Sequence, residues 1–74
     1  VWRRNPVPVK IRKLKSELSK AGFLYRPGKG SHTHWYYHRD RSIKVSLAGN
    51  DGDDAQKYQL DDVYEAIKRA KELG

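Results

Sequence analysis

From Val9 onward the apolar positions fall at Ile11, Leu14, Leu18 and Ala21, three or four residues apart. Lys13, Lys15, Glu17 and Lys20 occupy the rest of the circumference. That spacing predicts an amphipathic helix running from Val9, and Gly22 is placed to close it in the left-handed conformation. The period then changes. Phe23-Leu24-Tyr25-Arg26 reads as a short strand stopped by Pro27-Gly28, and Ser31 to His38, rich in Thr, Trp and Tyr, reads as a second. Arg39-Asp40-Arg41 is expected to turn the chain. Ser42 to Leu47 then alternates, with Ile43, Val45 and Leu47 on one face and Lys44 and Ser46 on the other, as a half-buried antiparallel strand does.

Ala48 to Gln56 carries loop chemistry, Gly49-Asn50-Asp51-Gly52-Asp53-Asp54. A last helix is expected from about Gln59, with Leu60, Val63, Tyr64, Ile67, Ala70 and the stem of Lys71 facing inward. Asp61 and Asp62 would sit in its first turn and Lys68, Arg69 and Lys71 in its last, as the helix dipole favours. The order helix, three strands, helix predicts an α+β domain: a three-stranded antiparallel sheet with two helices on one face. Residues 1–8, with Pro6 and Pro8, are expected to form a flexible N-terminal extension ahead of a single domain over 9–74. A chain of 74 residues buries only about 60% of its unfolded surface, so that core must be economical.

Charge sharpens the picture. The chain carries a formal +7, unevenly spread: residues 1–29 hold nine basic side chains against Glu17 alone, residues 30–47 add +2, and residues 48–74 carry −3. The basic two-thirds reads as a footprint for a polyanion, nucleic acid before an acidic protein; the bland alternative is a solvated surface that aids solubility. Without cysteine there is neither a disulfide staple nor a thiolate metal site, which fits a cytoplasmic protein and excludes a secreted mini-scaffold. No apolar run approaches the ~20 residues that span a bilayer.

The candidate chemistry gathers at Gly28-Lys29-Gly30-Ser31-His32. The flanking glycines allow positive φ and close approach to a ligand, and the turn amides could form an anion nest. Lys29 offers a positive charge to a phosphorane, and a histidine, with an ordinary pKa of ~6.5, both takes and gives protons near neutrality. Strand parity puts His32, His34, Tyr36 and His38 on one face, expected to be the open one, and Ser31, Thr33, Trp35 and Tyr37 on the other. Trp35 and Tyr37 read as core, whereas Tyr25 and Tyr36 are candidates to stack on an unpaired base. Lys44 or Arg26 would hold flanking phosphates, and His34 is a further RNA-binding candidate. His32, His34 and His38, of one parity, span about 20 Å at ~3.3 Å per residue, too far to share one metal ion, so no metal or other cofactor is expected. Asp51-Gly52-Asp53-Asp54 lacks the spacing and closing glutamate of a calcium loop, and reads as a solvated connection that docks a partner or shapes the rim of the site.

Lys20-Ala21-Gly22-Phe23, followed by Gly30-Ser31-His32, a short hydrophobic strand and a closing helix, resembles the HicA family over roughly residues 9–72. That family comprises small mRNA-interferase toxins of prokaryotic HicA–HicB toxin–antitoxin systems, with a fold similar to the double-stranded-RNA-binding domain. The resemblance implies that His32 is catalytic, that Gly30 makes the tight turn before it, and that a HicB-like antitoxin is the protein partner. Many members carry a proline and a histidine just after the third strand and a Gly-Thr element before the last helix. Here residues 48–58 form a longer acidic loop instead. The function so implied is an endoribonuclease acting on single-stranded mRNA, with His32 as general base on the ribose 2′-OH and Lys29, His34 or His32 itself as candidate acids. A non-catalytic RNA-binding module and a protein that docks an acidic partner are the rival readings.

Overall fold

A computed structural model describes residues 8–73. Of the extension expected over 1–8, all but Pro8 lies outside the described residues. The elements are α1 (Ile11–Lys20), β1 (Phe23–Pro27), β2 (Thr33–Tyr37), β3 (Asp40–Leu47) and α2 (Lys57–Leu73). The strands form one antiparallel sheet in the order β1-β2-β3, with Phe23 opposite Tyr37, Pro27 opposite Thr33, and Thr33 opposite Leu47. This is the α+β arrangement that the periodicities predict. Pro27 is tolerated in a strand because β1 is an edge, where a missing N–H costs no ladder bond.

Both helices cover the same face. Leu14 and Leu18 from α1 and Val63, Ala66 and Ala70 from α2 pack against Phe23, Trp35, Tyr37, Ile43, Val45 and Leu47. Thr33 and Gln59 are the buried polar residues. Thr33 Oγ1 accepts from Trp35 Nε1 at 3.1 Å, and no buried side-chain nitrogen or oxygen among the described residues lacks a partner. No described helix is long and apolar enough to cross a membrane.

The boundaries move for identifiable reasons. Helix α1 starts at Ile11 rather than Val9, because Val9 O accepts Ala55 N–H at 2.7 Å and Lys10 bridges to Asp54. Lys10 supplies no side-chain cap. The amides of Ile11 and Arg12 donate instead to the carbonyls of Asp53 and Asp51, at 2.9 and 3.2 Å, satisfying donors that every helix start leaves open. At the other end Gly22 has φ +96°, as its position past the helix requires.

The expected turn over Arg39-Asp40-Arg41 is instead the two residues His38-Arg39, with Tyr37 opposite Asp40. The register slips there, since Tyr36 faces Lys44, and Arg41, Ser42 and Ile43 form the extra length of a bulge. The Asp40 carboxylate steadies it, accepting from Ser42 N–H at 3.0 Å and Ser42 Oγ–H at 2.7 Å. These bonds hold the Asp40 pKa below the ordinary aspartate value.

Helix α2 begins two residues earlier than expected, and Gln59 is what starts it. Its buried side chain accepts from Gln56 N–H at 2.8 Å and donates to Ala48 O at 2.9 Å, one half of a capping box joined to a tether on the preceding loop. Asp61 and Asp62 therefore fall beyond the first turn, and only Lys71 of the three expected basic residues lies in the last. The inward face turns with the new start. Gln59, Val63, Ala66 and Ala70 are buried, Leu60 and Ile67 are partly so, and Tyr64 and Lys71, expected inside, are exposed.

Candidate active site

Thr33, not Ser31, is the first residue of β2, and that shift decides where the histidines go. Lys29 to His32 form a tight turn closed by His32 N–H donating to Lys29 O at 3.0 Å, and Gly28 N–H donates to His32 O at the same distance. Gly30, at φ +59°, takes the first central position, where a type II′ turn needs glycine. Gly28 has no positive φ, and its requirement is space. A Cβ there would lie 2.7 Å from His34 Nε2 and 3.1 Å from His32 O. Closing the turn uses the amides of Gly28 and His32, so those two are withdrawn from any anion nest.

Being in the turn, His32 does not follow strand parity. It opens into a cleft of about 400 Å³ with Lys15 from α1, Tyr25 from β1, Gly28, Gly30 and Ser31 of the turn, and Gly49, Asn50 and Asp51 of the loop before α2. The far wall is fixed. Gly49 N–H donates to Ser31 Oγ at 3.3 Å, and Asp51 pairs with Lys15 at 2.5 Å. Tyr25 is half exposed and leans on Trp35, ring centroids 5.4 Å apart. The cleft thus holds an imidazole, an ammonium with a carboxylate already on it, and a phenol.

The other sequence candidates lie elsewhere. Arg26, His34, Tyr36 and Lys44 line a second cleft, of about 280 Å³, on the sheet face opposite the two helices, where Arg26 stands opposite His34 and Tyr36 opposite Lys44. His34 shares a hydrogen bond of 2.8 Å with Ser46. It lines no wall of the His32 cleft, and neither does Lys29. His38 belongs to neither group. Its Nδ1 donates to Gly22 O at 2.8 Å, which fixes the proton on that nitrogen, because a carbonyl only accepts. The expected row of three open-face histidines therefore separates into a cleft residue, a sheet-face residue and a strut beneath Gly22. Among the described residues no group of three or more His, Asp or Glu side chains is arranged to hold a metal ion.

Lys15, Tyr25 and the loop carboxylate are the part of the site that the turn motif alone does not announce. Their signal is the charge asymmetry: a basic first helix and an acidic loop attract, and where they meet a wall forms beside His32. The acidic loop borders the His32 cleft, exposed from Asp51 to Asp54 as a connection is, yet tied by its backbone and carboxylates. Compared with known proteins, the chain matches no family model, no curated sequence and no solved structure.

Proposed function

We propose that this protein is a small endoribonuclease that cuts RNA by metal-independent acid–base chemistry at His32. The observation that carries the reading is the shared cleft: an exposed imidazole on a glycine turn lines the same open space as the Lys15 ammonium and the Tyr25 phenol. Neutral His32 takes the proton of a ribose 2′-OH, and the 2′-oxygen attacks the adjacent phosphorus. The bond to the 5′-oxygen breaks, leaving a 2′,3′-cyclic phosphate and a 5′-OH. Lys15, exchanging Asp51 for the phosphate, neutralises charge developing on the phosphorane, the role that Lys29 holds in the sequence reading. The departing oxygen takes its proton from Lys15 or Tyr25, the two donors in the same cleft. His34 stands outside it and is dropped from this role. The 2′-OH requirement restricts the substrate to RNA.

On this reading the likeness of Ala21-Gly22-Phe23 and Gly30-Ser31-His32 to HicA proteins extends to function. The double-stranded-RNA-binding-domain-like label, the toxin role, the cytoplasmic setting and a HicB-like antitoxin covering the His32 turn go with it. The test is a cleavage time course on labelled single-stranded RNA in excess EDTA, with wild type and His32→Ala purified in parallel. Wild type is expected to leave cyclic-phosphate ends, and the variant to fall by ~10²–10⁴ in rate with an unchanged melting temperature. Equal cleavage by both removes His32 from the mechanism.

A non-catalytic RNA-binding module is the second reading. It is favoured by Arg26, Arg41 and Lys44, which line one cleft on the sheet face and belong to none of the ion pairs among the described residues, whereas Lys15 in the His32 cleft is paired with Asp51. Salt-sensitive binding with no cleavage by either protein selects it.

A further inference from the structure

We infer that the sheet face opposite the two helices is a docking platform for a single-stranded polynucleotide, with Arg41 as the residue on which a base stacks. The inference stands apart from the chemistry at His32 and holds under either reading above. It begins with an imbalance. Arg26, Arg41 and Lys44 surround one shallow cleft together with His34, Tyr36 and Ser46, and no carboxylate lines it. Four lysines elsewhere, Lys10, Lys13, Lys15 and Lys57, are each paired with an acid; none of these ion pairs among the described residues uses Arg26, Arg41 or Lys44. His34, Lys44 and Ser46 also border a neighbouring cleft lined by Asp62 and Glu65 of α2, so the carboxylates stand to one side while the three cations share the cleft at Tyr36. Three like charges held together by one sheet repel each other, and a polyanion relieves that repulsion.

The aromatic component selects the kind of polyanion. Arg41 lies over the Tyr36 ring, its guanidinium carbon 5.2 Å from the centroid, in cation–π geometry. The bulge at Arg41–Ile43 brings it there, since a regular register would carry β3 past Tyr36 without the extra residues. A guanidinium plane backed by a ring offers its outer side to one more flat group, and unpaired bases stack on Arg planes as they do on aromatics. Bases inside a duplex already have both faces covered. Arg26 and Lys44, to either side on β1 and β3, take the phosphates. His34 joins the platform to the His32 turn, since its ring packs under Gly28.

The experiment measures binding alone, on His32→Ala protein, by fluorescence anisotropy of an end-labelled 12-nucleotide oligouridylate across 50–200 mM salt. The three charges of Arg26, Arg41 and Lys44, each displacing a counterion from a single strand, give a log–log slope of about −2, an affinity loss of roughly 20-fold over that range. Arg41→Ala/Lys44→Ala is expected to weaken binding at least tenfold and to cut the slope by about 1.4. Lys13→Ala/Lys57→Ala, which removes two paired cations, leaves both readings near the parent. Arg41→Lys keeps the charge but not the plane. It is expected to preserve the slope while losing several-fold affinity, an outcome that loss of fold does not mimic. Binding unchanged in the Arg41/Lys44 variant overturns the inference. So does displacement of the strand by an RNA duplex, or by polyglutamate of matched charge, as readily as by unlabelled oligouridylate.

Discussion

Two glycine-containing polar segments face each other across the His32 cleft, and they are built in opposite ways. The turn Lys29–His32 is exposed at every residue and is held by its own backbone. The loop between β3 and α2 looks more mobile on paper, with Gly49, Gly52 and three aspartates. Yet its backbone caps α1 through the carbonyls of Asp51 and Asp53, its carboxylates hold Lys10 and Lys15, Asp53 accepts from Asn50 N–H at 2.9 Å, and Gln59 anchors its first residue. Polar composition marks a segment as a connection. What it binds is decided by which charges lie opposite, so one segment is free to meet a ligand while the other is structural.

The comparison breaks first at Gln59. Gln59→Ala strips two hydrogen bonds at a site 3% exposed and leaves Ala48 O and Gln56 N–H unpaired. The expected loss is ~2–3 kcal/mol, a fall in melting temperature on the order of 10 °C for a chain of this size. Ser31→Ala, across the cleft, removes only the 3.3 Å bond from Gly49 and is expected to cost less than ~1 kcal/mol. Equal losses in thermal unfolding would erase the distinction between wall and turn.

Next come the turn glycines, each expected to cost about 1 kcal/mol on change to alanine, for different reasons. Gly28→Ala drives a methyl into His34, so His34→Ala relieves part of the cost in a double-mutant cycle. At Gly30 nothing lies within 4 Å of an added Cβ and the cost is the φ of +59°, so no second-site change relieves it and Gly30→Asn is milder than Gly30→Ala.

The loop ion pairs are exposed and worth up to ~1 kcal/mol each. Lys10→Ala should show that loss at low salt and a smaller one at 0.5 M, read by urea unfolding. The smallest effect lies outside both segments. Removing the Ser42 hydroxyl in Ser42→Ala lets the Asp40 pKa climb part-way back toward its ordinary value, visible by NMR titration. Because the folded pKa is the lower one, the stabilisation is present above the ordinary carboxylate range and is lost as pH falls through the depressed value. The variant should therefore narrow the stability difference between pH 5 and pH 2.

Period-based reading found every element and most of the core, because Ile11, Leu14, Leu18, Ile43, Val45, Leu47 and Val63 obey a helix or strand repeat that burial enforces. It misplaced ends wherever a distant partner set them. Gln59 carries no local mark of being a cap, and Asp61-Asp62 imitates a first turn more strongly. The parity argument for His32 failed for the same reason, since a one-bond turn closure removed it from the strand whose alternation it was assigned. Tyr25 is legible beforehand as a stacking candidate, but Lys15 becomes a site residue only through packing of α1 against the loop, and Arg41 only through the bulge. Such contacts join residues far apart in the chain, and no repeat encodes them.

The borrowed cap on α1 has a consequence for how the chain is made. Ile11 and Arg12 leave the ribosome about 40 residues before the carbonyls of Asp51 and Asp53 that complete them. At roughly 5–20 residues per second that is an interval of several seconds, during which a ten-residue helix has no N-terminal partner and is too short to hold itself. Helix α1 is thus synthesised ahead of the sheet and α2 and is among the last elements to be secured. Folding waits on the acidic loop, and so does the cleft that α1 and that loop jointly enclose.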